Sequence, residues 1–243
     1  MASVILSKAH LPFADIPNVI TTDKPVIFWD TCPLLYFNTM VDRRAYNEYT
    51  PDANLLHLIE SSQVYSFTSA MVYQEFTEHH DTLFAKDQDR ENSMKKIMKD
   101  YGDIQGTPKK EELLKGLQAL DLSLHLDDMV RRIWANTYVI NEDPSFMQKA
   151  HNRVIKKEAP SREKQQYKDC YIWETFITLC EQNPHKGKSW FMTENSEDFC
   201  GAKKSKILLP EFQDELNKCQ GKFAISKNAV YVDIAKELGL IPK

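Results

Sequence analysis

The run Pro25-Val26-Ile27-Phe28-Trp29-Asp30-Thr31-Cys32-Pro33 decides the fold class of this chain. Four consecutive apolar residues behind a proline, with no polar alternation, predict a strand buried on both faces, the habit of parallel sheets. Asp30 ends the run, and Pro33 ahead of Leu34-Leu35-Tyr36-Phe37 predicts a helix that begins at once. Working outward, Val64-Tyr65-Ser66-Phe67-Thr68 and Trp190-Phe191-Met192-Thr193 read as two further buried strands, and Phe223-Ala224-Ile225 as a last one. Helices are expected between them: one opened by Thr50 and Pro51, one capped by Ser69, one started by Asp143-Pro144, and one from about Pro210. The stretch from Lys168 to Cys180 reads as an amphipathic helix. Strands alternating with helices, without hairpin signals, predict an α/β fold with a mainly parallel sheet wrapped by helices.

Composition narrows the function classes. With 42% hydrophobic and 27% charged residues in 243, the chain is an ordinary globular protein, neither disordered nor low-complexity. Seven glycines are too few for a turn-dense all-β fold. No apolar run approaches the ~20 residues of a membrane span. The opening MASVILSKAH lacks a basic stretch ahead of a long apolar one, so a cytoplasmic protein without membrane partners is expected. Five cysteines without a C-x-x-C pair argue against a disulfide framework or a zinc knuckle and read as buried fillers. No zinc-type histidine spacing and no Gly-rich phosphate loop is present. The whole chain, 1–243, reads as a single domain. Residues of about 81–160, helical in pattern with few strand signals, read as an insertion whose Leu113, Leu114, Leu117 and Leu120 recur at helical spacing.

Several carboxylates do not fit a structural role. Ligands of open α/β sheets sit beyond the carboxyl ends of the strands, and both Asp30 and the polar turn Glu194–Asp198 fall at such ends. Asp169 precedes Ile172 and Trp173 by three and four residues, which puts it on the apolar stripe of its helix. Glu75 follows Met71 and Val72 by four and three, again on the inward side. A carboxylate on a buried face is costly unless it is paired or binds a cation. Each acid has a plainer reading as a cap, an ion-pair partner or a solvated side chain. Four of them together point instead to a hard, oxygen-preferring ion, Mg²⁺ or Mn²⁺, and to phosphoryl-transfer chemistry.

In order along the chain, these residues resemble the motifs of the PIN-domain family of metal-dependent nucleases. The first motif is Val26-Ile-Phe-Trp-Asp30-Thr31, and the second is Ser69-Ala-Met-Val-Tyr-Gln-Glu75-Phe76. The third is Lys168-Asp169-Cys-Tyr-Ile-Trp-Glu174, and the fourth is Thr193-Glu194-Asn195-Ser196-Glu197-Asp198-Phe199. The third is similar to a bacterial PIN-like subgroup with Asp-x-x-Ile-Trp-Glu. The resemblance covers roughly residues 24–80 and 160–232. It implies a three-layer α/β/α fold with about five strands and a metal-dependent endoribonuclease. Its catalytic and metal-binding acids would be Asp30, Glu75, Asp169 and Asp198, with Asn195 as a neutral ligand where many relatives carry Asp. Thr31 and Thr193 are the implied positioning hydroxyls at the substrate, and products with a 5′-phosphate and a 3′-hydroxyl are implied too. A role as a toxin or defence effector follows by family alone.

Seven basic residues against two acids lie between Lys149 and Lys168, a stretch suited to a phosphate backbone. Arg162 and Lys168 are the expected phosphate contacts. RNA, single-stranded or structured, is the implied partner, with DNA as a second substrate and room for a protein inhibitor or a homodimer. Two competing readings remain. One is a degenerate PIN-fold scaffold, favoured by Asn195. The other is a haloacid-dehalogenase-like phosphatase, disfavoured because Cys32 stands where its second Asp belongs.

Overall fold

The structure is a computed structural model that describes residues 5–36, 49–105, 122–162, 166–203 and 205–242. The leucine stripe at 113–120 and Lys164 lie outside the described residues. Among them, six strands form one sheet: β1 (Ala9–Leu11), β2 (Val26–Trp29), β3 (Tyr65–Ser69), β4 (Thr137–Ile140), β5 (Ser189–Met192) and β6 (Lys222–Ala224). Their order is β1-β4-β3-β2-β5-β6 and every neighbouring pair is parallel. About five strands were expected. The two that the sequence reading left out, β1 and β4, pair with each other, and β4 falls inside the 81–160 segment read as a helical insertion. Thr137-Tyr-Val-Ile is masked by the helical segments on either side of it, and it is a strand docked in parallel between β1 and β3.

Parallel strands need crossovers, and the helices supply them. α1 (Ile16–Val19), α2 (Thr31–Tyr36), α3 (Tyr49–Glu60), α4 (Ala70–Gln105) and α5 (Leu122–Ala135) come first. α6 (Pro144–Lys156), α7 (Tyr167–Gln182), α8 (Ser196–Cys200), α9 (Pro210–Cys219) and α10 (Lys227–Glu237) follow. Local chemistry opens several of them where expected. The Ser69 hydroxyl accepts from Val72 N–H, and Asp143 from Ser145 N–H ahead of Pro144; Ser226, not singled out from the sequence, accepts from Ala229 N–H. α1, α6, α7 and α9 pack together on one side, and α3, α5 and α10 on the other, giving three layers. Phe28, Phe191 and Phe223 line the α7 side, where Phe28 and Phe191 lie 5.7 and 5.1 Å from the Phe176 ring. On the other face the Trp29 indole donates to Ser66, which also meets Thr137.

α7 corrects one expectation. It is not amphipathic: Cys170 to Cys180 is buried without interruption. The polar members of that run are absorbed locally, because Thr175 and Thr178 donate to carbonyls one turn back and Glu174 is paired with Arg153. No helix among the described residues is long and apolar enough to cross a membrane.

Candidate active site

The chain runs from β2 outward through β3 to β4, then returns to place β5 on the other side of β2. A reversal of that kind opens a crevice at the carboxyl edge of the sheet. Register makes the edge level: Trp29 stands opposite both Thr68 and Met192, so Asp30, Ser69 and Thr193 leave the sheet side by side.

From there a hydrogen-bond chain links three of the acidic motifs. The Thr193 hydroxyl donates to Asp30 Oδ2 at 2.6 Å, and Thr31 N–H donates to Oδ1 at 2.7 Å. The Thr31 hydroxyl donates to Glu75 Oε2 at 2.6 Å. Asn195 N–H donates to the Thr193 hydroxyl at 3.0 Å, and Asn195 Nδ2 to Asp198 Oδ2 at 2.6 Å. Gln166, just ahead of α7, donates to the other Asp198 oxygen. Asp169, in the first turn of α7, faces the same space, since the charges of Asp30, Asp198 and Glu75 all act on it. Four segments far apart in sequence thus meet in one place.

Electrostatics describe the cost. Burial pushes the Asp30 carboxyl up to about 6 against the hydrogen bonds from Thr193 and Thr31, and the charges of Glu75 and Asp198 add to the rise. Asp169 is pushed up to about 8, first by burial and then by Asp30, Asp198 and Glu75. Neither has a salt-bridge partner among the described residues. Lys168 stands beside Glu75, with Nζ 3.7 Å from Oε1 and half of its side chain exposed.

The other expected residues fall differently. Arg162 pairs with Glu211 and is not among the groups at the cluster. Arg153, counted in the basic stretch, is buried between Glu174 and Glu215 and donates to Ala159 O, so it cannot follow a phosphate backbone. Asn195 caps α8, its side-chain oxygen accepting from Asp198 N–H. Thr31 and Thr193 have committed their protons to carboxylates. Sequence reading missed Gln166, and it did not choose Glu194, whose charge acts on Cys32 together with those of Asp30, Asp169 and Glu75. Glu194 was visible as an acid following a strand end. Gln166 gave no signal, because an amide ahead of a helix is unremarkable until its partner is known.

The donor set suits a divalent cation in kind: all oxygen, acidic, partly buried and short of positive charge. As placed, the acids are held by hydroxyl and amide donors, and among the described residues no three His, Cys, Asp or Glu side chains are grouped as a formed metal cage.

Comparison with known proteins fits this architecture. Neither a search of curated proteins nor one of solved structures found a match. A PIN-domain family model matches residues 27–199, from β2 through α8 and so across all four acidic motifs. The chain belongs to the PIN-domain family, whose members are generally nucleases.

Proposed function

We propose that the protein is a Mg²⁺- or Mn²⁺-dependent endoribonuclease whose site is built from Asp30, Glu75, Asp169 and Asp198. The observation that carries the reading is the convergence at the carboxyl edge of β2, β3 and β5 of Asp30, Glu75 and Asp198, joined through Thr31, Thr193 and Asn195, with Asp169 exposed to the charge of all three. Asp30 and Asp169 would hold the cation, with Glu75 and Asp198 beside them. The chemistry such a cation would supply there is neutralisation of charge on the phosphate and a lowered pKa for a water molecule. The protein's own groups do the positioning. Thr193 and Thr31 fix the Asp30 carboxylate from both oxygens, and Thr31 orients Glu75 as well. Asp198, steadied by Asn195 and Gln166, accepts a hydrogen bond from the attacking water. Lys168, exposed beside Glu75, meets a phosphate oxygen. Attack on phosphorus breaks the bond to O3′ and leaves a 5′-phosphate and a 3′-hydroxyl.

The test is cleavage of single-stranded and structured RNA, and of DNA, with Mg²⁺, Mn²⁺ or chelator. Cleavage is expected only with metal, and neither Asp30→Asn nor Asp169→Asn should cut. Undiminished cutting by both variants, with contaminating nuclease excluded, would sink the proposal. One observation favours a second reading, a scaffold that retains the fold without activity: Asn195 spends its side-chain oxygen on the α8 cap. Calorimetric titration with Mn²⁺ separates the two, since a scaffold takes up no metal at millimolar concentration.

A further inference from the structure

Away from the acidic cluster, Cys180 near the end of α7 and Cys219 at the end of α9 border one small space. Gly221 creates it. A Cβ at position 221 would stand 3.1 Å from the Cys180 sulfur, 3.3 Å from the Cys219 sulfur and 3.0 Å from Leu216 Cδ2. The backbone at 221 is not left-handed, so glycine is needed here for close approach, and what it makes room for is a pair of thiols. Both are free and buried, at 2% and 7% exposure. An open groove of about 710 Å³ lies next to that space, walled by Leu208, Leu216, Gly221 and Phe223 and flanked by Lys206 and Lys222. Two of those wall residues, Leu216 and Gly221, also border the thiols.

We propose that Cys180 and Cys219 are a peroxide-responsive dithiol that closes to a reversible disulfide joining α7 to α9. The roles divide by environment. Cys219 rests with its S–H towards Leu216 O at 3.6 Å. Once deprotonated, its sulfur is stabilised first by the neighbouring Cys180 S–H, against burial, which brings its pKa down to about 7, while Gly221 N–H is held by Leu216 O at 3.0 Å. Burial drives the Cys180 thiol the other way, so it keeps its proton. A thiolate beside a protonated neighbour is the arrangement of an attacking and a resolving cysteine. The Cys219 thiolate attacks a hydroperoxide, breaks its O–O bond, becomes the sulfenic acid and releases hydroxide (or alkoxide). The Cys180 sulfur then displaces that oxygen, which leaves as water with the thiol proton. One peroxide is reduced and two thiols are oxidised. The bond would close a loop of roughly 40 residues, a length at which cross-links restrict the unfolded chain substantially.

The experiment treats the intact wild-type protein with graded hydrogen peroxide, blocks remaining thiols and maps peptides by mass spectrometry. A Cys180–Cys219 cross-linked peptide should appear first, with an intact mass about 2 Da lower, reversed by dithiothreitol. The Tm should rise by about 5 °C or more. Cys180→Ser should stop at a dimedone-trappable sulfenic acid on Cys219, and Cys219→Ser should leave Cys180 unmodified. Both thiols still free after Cys32 or exposed Met94 has been oxidised would overturn the proposal, as would a cross-link between other cysteines. The readout needs no nuclease activity, so its outcome is independent of the function proposed above.

Discussion

Asp169 is a carboxylate raised to about 8 by burial and by Asp30, Asp198 and Glu75, and the sign of its effect on stability follows. The folded protein holds the Asp169 proton at pH values where the unfolded chain, titrating near 4, has lost it. Stability from this group is therefore greatest below about pH 4 and is lost as pH rises towards 8, with Asp30 adding to the loss up to about 6. Metal-free Asp169→Asn is expected to melt above metal-free wild type, with a gap that widens between pH 5 and about 8; differential scanning fluorimetry across that range checks it. Thr193 poses the complementary test. Thr193→Val keeps the shape but removes the donor to Asp30 Oδ2, and loss of such an orienting bond is expected to lower cleavage by about 10–100-fold. Single-turnover rates at saturating metal measure this.

At the scale of elements, α7 is the member whose every side needs a partner. Its Glu174 meets Arg153 of α6, and Arg153 also reaches Glu215 of α9, which accepts from the Trp173 indole at 2.6 Å. One buried guanidinium thus ties three helices. Among the described residues, removing it strands Glu174 with only Lys149, at 4.0 Å. Arg153→Met is expected to destabilise by about 3–5 kcal/mol, the cost of an unpaired buried charge, read from urea unfolding. Adding Glu174→Leu should recover part of that loss. The same pairing explains why a basic stretch in the sequence is not a basic track on the surface: charge counted along a chain says nothing about which members turn inward.

The whole molecule rests on an aromatic layer between the sheet and α7 and α9. Phe191 lies within 6.4 Å, ring to ring, of Phe28, Trp173, Phe176, Phe199 and Phe223. Phe191→Ala should cost about 3–5 kcal/mol and lower a single unfolding midpoint seen alike by tryptophan fluorescence and circular dichroism. Two separate transitions would show that the layer does not unite the sheet and helices.

What the sequence determined by itself is local. Val26–Trp29 had to be a doubly buried strand because no alternation spares either face, and Asp30 had to stand at its carboxyl end. Ser69 and Asp143 announced their helices because a cap is decided by a few neighbouring atoms. The ordered acids were legible for the same reason. Only the tertiary structure decided the rest: that β1 and β4 are strands, that α7 is buried all round, that Gln166 reaches Asp198 and that Arg153 and Arg162 face carboxylates. Each of those depends on a partner more than twenty residues away, and pairing at that distance leaves no period or spacing in the chain to read.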